Sequence, residues 1–253
     1  DEQLFRIFGT FLTTGSIATF RYARRIALLP VGIIAQAVGV ASYPLLSRLY
    51  QKNEVDELSE LVKKQLSYLY LVSGSLMIVA IVNAEYLIKI IYERGAFTSE
   101  DTTRVSGVFV IISLAIIPWS INQILTRSYY VQQKFWFPVV TGSFITLLTS
   151  LILFNASSNS LTYAWIIIFS LYVYCIVLLM SIKFNSERIF NKNLVLEFFK
   201  ISLILALIYF VFGMVISFAG MLNLIFSLLL IPLVIFVSLS LLNFEYINIA
   251  KRR

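Results

Sequence analysis

The stretch IATFRYARRIALLPVGIIAQAVGVASYPLL, residues 17–46, decides the reading of this chain. It is apolar enough to cross a bilayer, yet Arg21, Arg24 and Arg25 crowd one short piece of it. A guanidinium held in hydrocarbon costs several kcal/mol at least. The three must therefore line a polar cavity or lie at a wet interface, beside an anionic partner. At about 100° per residue, with Arg21 as zero, Arg25 falls at about 40° and Arg24 at about 300°, so all three share one helix face. Thr14, Ala18, Gly32, Gln36 and Gly39 lie within about 60° of Arg21 on the same stripe. The opposite side carries Ile26, Ile33, Ile34 and Val40. One helix thus presents a small, polar, cationic face and a greasy one, as the wall of a substrate pathway requires.

The rest of the composition agrees with a membrane chain. Of 253 residues 59% are hydrophobic and only 13% charged, against about 25% charged in a soluble domain. The apolar segments are long, which suits helices and not the short alternating strands of an outer-membrane barrel. The fold class is an all-α integral membrane protein. Histidine is absent and Cys175 is the single cysteine. A His/Cys metal site, an internal disulfide and a Ser-His or Cys-His nucleophile are thereby excluded. No catalytic residue, metal, cofactor or nucleic-acid partner is expected. The chain opens on Asp1, almost inside a hydrophobic segment, and reads as a fragment of a longer protein.

Eight hydrophobic segments follow one another. The first, Leu4 to Leu12, is too short to span and reads as a truncated helix. The second runs from Ile17 to Leu46, with a kink expected at Pro30. The others run from Leu66 to Ile91, Val105 to Leu125, Val139 to Phe154, Leu161 to Ile182, Leu194 to Phe218 and Leu222 to Leu242. That makes about seven full transmembrane helices plus one truncated. Lys and Arg concentrate in alternate connections: Arg48, Lys52, Lys63 and Lys64; Arg127 and Lys134; Lys183, Arg188, Lys192 and Lys200; and the terminal Lys251-Arg252-Arg253. The connections between, Asn155 to Ser160 and Ser217 to Asn223, hold none. Only the Lys89 to Arg104 loop breaks this contrast, and there Glu93, Glu100 and Asp101 accompany the bases. The positive-inside rule puts the basic set and the C-terminus in the cytoplasm.

Two connections carry local signals. Asn53 to Leu66 reads as a short amphipathic helix capped by Asn53 and lying at the cytoplasmic interface, with Val55, Leu58, Leu61, Val62 and Leu66 on one side. Gly95 is suited to end the third segment in a left-handed conformation, and Thr98 with Asp101 forms a capping box for the fourth. Tyr129, Tyr130, Phe135 and Trp136 read as an interfacial aromatic belt. Asn155-Ala156-Ser157 matches a glycosylation acceptor, a triplet that also arises by chance.

Three stretches together resemble one family. Tyr22-Ala23-Arg24-Arg25-Ile26 followed by Leu29-Pro30-Val31-Gly32, then Tyr43-Pro44-Leu45-Leu46-Ser47-Arg48, is similar to the eighth transmembrane helix of the MurJ (MviN) lipid II flippases. Glu93-Arg94-Gly95-Ala96-Phe97-Thr98 with Asp101 resembles the loop that follows two helices later. Arg127-Ser128-Tyr129-Tyr130-Val131-Gln132 up to Pro138 resembles the family's next cytoplasmic loop. The resemblance covers roughly residues 4 to 155. It implies a fourteen-helix MATE-like fold of the multidrug/oligosaccharidyl-lipid/polysaccharide exporter superfamily. Residues 1–183 would be the second lobe, helices seven to twelve, and 184–253 the two C-terminal helices. The implied activity is movement of an undecaprenyl-diphosphate-linked peptidoglycan precursor across the bacterial inner membrane by alternating access. The implied partners are that glycolipid, membrane lipids and the N-terminal lobe of the same protein.

By the same resemblance Arg25 falls on the family's cavity arginine, while Arg24 and Arg21 are additions of this chain; the helical period, not the resemblance, adds Gln36 on the same face as a candidate substrate-binding residue. Phe5 stands where the family commonly has an aspartate, Lys134 where it has an acid, and Thr149 and Leu153 where Asn-type residues are expected. A coupling ion or a drive by membrane potential therefore finds no support in this sequence. The competing readings are a sibling O-antigen or polysaccharide-lipid flippase, a membrane enzyme acting on polyprenyl phosphates, and a non-transporting scaffold of a cell-wall complex. The enzyme would need paired acids or a nucleophile in the membrane, where the mid-span segments offer only Glu85 near one end. The scaffold would need a large soluble loop, and every loop here is short.

The topology is open to single-cysteine labelling in intact cells. A cysteine at position 158 should react with an impermeant reagent, and cysteines at 56 and 190 should not. The reverse pattern would overturn the assignment.

Overall fold

The computed structural model describes residues 4, 7, 8, 15–156, 159–184 and 187–215. Most of the first segment with Phe5 and Thr14, Ser157 of the acceptor triplet, the segment 222–242 and the terminal bases lie outside the described residues.

Six helical stretches long and apolar enough to cross a membrane occupy segments two to seven. The second segment becomes α1 (Ser16–Pro30), a π-helical turn (Val31–Ala35) and α2 (Gln36–Gln51). Pro30 has no N–H to offer its own helix, and the chain absorbs this in one wide turn without breaking. The expected kink thus takes the form of a π turn. After the left-handed Asn53 comes α3 (Val55–Val82), 28 residues without interruption. This corrects the separate interfacial helix expected over Asn53 to Leu66. Asn53 is not its cap, and Leu58, Leu61, Val62 and Leu66 are buried within the bundle. Their apolar side packs on neighbouring helices, so the segment simply extends the span.

The third segment is broken once. At Asn83, α3 gives way to the short α4 (Ala84–Tyr92). Gly95 is left-handed, φ 61°. The capping box forms as expected: Asp101 Oδ2 accepts from the Thr98 amide at 3.0 Å, and Thr98 Oγ1 accepts from the Asp101 amide at 3.4 Å. It opens α5 (Ser99–Ser113), which passes through a short turn at Leu114–Ala115 into α6 (Ile116–Val131). Then come α7 (Trp136–Asn155), α8 (Ser160–Ser181) and α9 (Lys192–Val215). Between the last two lies a two-residue antiparallel ladder, β1 (Lys183–Phe184) with β2 (Glu187–Arg188), Lys183 opposite Arg188. No strand was legible in that basic connection.

The packing order places α5 against α1 and α4, α6 against α2 and α3, and α8 against α5, α6 and α7. Phe109, Ile112, Ile116, Ile124 and Leu125 fill the centre. Tyr129 departs from the interfacial belt. It is buried, and its hydroxyl donates to the Leu178 carbonyl at 2.9 Å. Tyr130, Phe135 and Trp136 remain exposed.

Helix α9 docks on α3 through a polar seam. Ser67 donates to Glu197 at 2.7 Å, Tyr70 and Ser202 hydroxyls lie 2.8 Å apart, and the rings of Tyr70 and Phe198 stand 4.9 Å apart. Further along, Leu205 rests on Gly74, where an added Cβ would come within 3.0 Å of Leu205 Cδ2. Gly74→Val should push α9 away and cost about 1–3 kcal/mol, read as a lower Tm in detergent. Gly107→Ala, where a Cβ meets nothing within 4 Å, should leave Tm unchanged or slightly raised. Equal effects of the two would show that the α3–α9 contact does not hold the bundle.

Candidate functional site

The arginine-bearing helix lies on the margin of the bundle, packed by α5 and α6 on one side and open on the other. Ala18, Arg21, Arg25, Gly32, Gln36 and Tyr43 are exposed along the open side. Arg21, Arg25 and Gln36 thus share one accessible stripe. Three expectations are corrected. Arg24 turns inward, its guanidinium carbon 5.6 Å from the centre of the Trp119 ring on α6, a cation–π arrangement. Gly39 is buried. Ile33 and Val40 are 71% and 59% exposed, so the open face is broader and greasier than the stripe alone, the π turn having shifted the phase of α2.

The length of the helix lets the arginines stand away from mid-membrane. The 36 residues of Ser16–Gln51 make a helix about 54 Å long at about 1.5 Å per residue. A hydrocarbon core of about 30 Å, centred on it, would cover only about residues 24–43. Arg21 then lies beyond the core and Arg25 just inside its edge. Their surroundings agree. Tyr22 meets Tyr92 and Phe97 edge-on at 4.8 and 5.6 Å between ring centres, and these flank the polar turn Glu93 to Thr98. The turn is clipped by Thr102, which donates to Glu93 at 2.7 Å. Burial pushes the Tyr92 phenol up, and the Arg25 guanidinium works against that rise. A cleft of ≈ 260 Å³ opens there between Thr19, Tyr22, Phe97 and Arg104.

Charge balance is the informative property. Residues 16–51 contain no Asp or Glu. Among the described residues the ion pairs given by the geometry are Lys52–Glu54, Lys64–Glu60, Lys89–Glu93 and Arg104–Glu100. Neither Arg21 nor Arg25 takes part in them. Two planar guanidinium forks therefore face open space, a geometry matched to phosphate oxygens. No group of three or more His, Cys, Asp or Glu suited to a metal occurs among the described residues. Thr149, one of the departures noted above, spends its hydroxyl on the Ile145 carbonyl at 2.7 Å.

Sequence reasoning missed two contributors. Trp119 offered no signal, because its role depends on α1 meeting α6. Arg127 was assigned to a connection, since the fourth segment was ended at Leu125. The structure carries α6 on to Val131 and so places Arg127 inside a helix.

Comparison with known proteins agrees with this architecture. The chain is 26% identical over 119 residues to a probable lipid II flippase MurJ of Rhizobium tropici, covering 47% of this chain and 22% of that one. It is 27% identical over 145 residues to a probable lipid II flippase MurJ of Buchnera aphidicola subsp. Baizongia pistaciae, covering 57% and 28%. It is 26% identical over 148 residues to the Vibrio cholerae protein of the same description, covering 58% and 28%. A solved structure of lipid II flippase MurJ in an inward closed conformation superposes with a TM-score of 0.75 at 24% identity, over 93% of this chain and 49% of that one. The chain thus spans about half of the solved protein and the aligned stretches less than a third of these relatives. Residues 3–236 match the family described as Lipid II flippase MurJ, and the chain belongs to that family.

Proposed function

We propose that this chain forms one wall of an alternating-access pathway that moves undecaprenyl-diphosphate-linked peptidoglycan precursor across the bacterial inner membrane. What carries the reading is the exposed stripe of Arg21, Arg25 and Gln36, turned away from its own bundle and holding no carboxylate. A lipid diphosphate supplies the missing negative charge, and the guanidinium fork binds it through paired hydrogen bonds. The opposing wall comes from a second lobe of the same protein, residues 1–183 forming this one and 184–253 the two C-terminal helices. Exposed Leu196, Phe199, Leu203 and Leu207 on α9 offer an apolar track for the isoprenoid tail. The process is movement of an intact molecule, with no bond made or broken in it, so the protein acts as a transporter and not as an enzyme. The basic connections face the cytoplasm, which puts the Arg21–Arg25 end at the outer surface.

In the intact protein, Arg25→Ala should insert normally and lose flipping by about tenfold or more, the weight of a charge-assisted hydrogen-bond pair. Arg25→Lys should recover part, because the point charge remains and the fork does not. The measurement is exposure of lipid II at the outer leaflet of flippase-depleted cells. Normal exposure in the alanine variant would sink the reading.

A further inference from the structure

A second guanidinium borders the same stripe. Arg127 reaches from α6 to α2 and lies on Gly39, where an added Cβ would come within 2.7 Å of the guanidinium carbon and 3.1 Å of Nε. That is why Gly39 is buried while Gln36 and Tyr43, one turn to either side, are exposed. The half-buried Arg127 is held from behind by Gln123, whose carbonyl and Oε1 accept from Nη1 at 2.7 and 2.8 Å. Neither acceptor is charged, no described carboxylate lies within ion-pair distance, and α6 contains no Asp or Glu. On the long helix Gly39 stands about 8 Å from the middle, while Arg127 itself lies four residues before the last residue of α6, Val131. A half-buried cation in a spanning stretch, with no counter-ion among the described residues, marks a functional site more readily than a packing device. Helix packing alone would be better served by an uncharged side chain.

We infer that Arg127 is a second station for the phosphates of a polyprenyl-linked substrate, about 21 Å along the helix from Arg25. Gln123 aims the fork and Gly39 leaves room for it beside the pathway. The diphosphate would meet Arg127 toward the inner end of the span and Arg25 toward the outer end. The inference rests on the flippase reading above and adds a binding residue to it.

The test is native mass spectrometry of the intact protein titrated with undecaprenyl diphosphate, and in parallel with phosphatidylglycerol. Arg127→Met keeps the packing volume and should weaken undecaprenyl diphosphate binding by about tenfold or more, with Tm unchanged. Arg127→Lys should retain most of the binding. Gly39→Ala, which displaces the guanidinium without removing it, should weaken binding by several-fold. Loss on Arg25→Met but not on Arg127→Met would overturn the inner station and leave the outer one standing. Failure of the unaltered protein to bind the probe would overturn both. Loss of Tm in Arg127→Met and Arg127→Lys alike would assign the residue to helix clamping, and an effect confined to phosphatidylglycerol would assign it to bulk lipid; either overturns the inference.

Discussion

A positive charge inside hydrocarbon has to be answered by water, by an acid or by a passing anion, and the arrangement of this bundle follows from how it answers three arginines in one span. Length solves part of the problem. The Ser16–Gln51 stretch is far longer than a bilayer core, so a core centred on it would leave Arg21 at headgroup level and Arg25 at its margin. Trp119 solves another part by taking Arg24 against its ring face. Arg21 and Arg25 are then left on the open side with no described acid to neutralise them, and that imbalance is what a phosphate-bearing ligand would relieve.

The same solvent constrains the backbone. A lipid-exposed break in a helix leaves carbonyls and amides unpaired at several kcal/mol each, yet three irregular points stand within spans of the described residues. Each is repaired from within. The π turn at Val31–Ala35 keeps its own helical bonding past Pro30. At the α3–α4 break, Asn83 Nδ2 donates to the Val79 carbonyl at 3.0 Å. At the α5–α6 turn the Tyr172 hydroxyl of α8 donates to the Leu114 carbonyl at 2.9 Å. All three lie on elements that pack against one another near the arginine helix.

Much was legible in the residues themselves because the relevant physics is local or one-dimensional. Hydropathy over a window of about 20 residues marks a span wherever it occurs, so segments two to seven reappear as helical stretches. A capping box needs only residues three apart, and Thr98–Asp101 forms as read. A left-handed turn needs only a glycine, and Gly95 provides it. The accessible alignment of Arg21 and Arg25 within α1 likewise follows from helical period alone.

What the tertiary structure decided was which neighbour each face meets. Leu58, Leu61 and Val62 have the same amphipathic pattern whether they rest on lipid or on helices, and only packing turned that segment into the start of α3. Arg24 stands one residue from Arg25, but the ring that draws it inward belongs to a helix nearly a hundred residues on. Tyr129 and Tyr130 are adjacent and chemically alike; one is buried against Leu178 and the other faces out. Arg127 and Gly39 come together only because α6 crosses α2. The sequence alone determined that this chain spans a membrane and carries a cationic stripe on one helix, since periodicity is a property of a single helix. Which of its charges stay open to a ligand was decided by contacts between helices, and pattern along one chain holds no record of those.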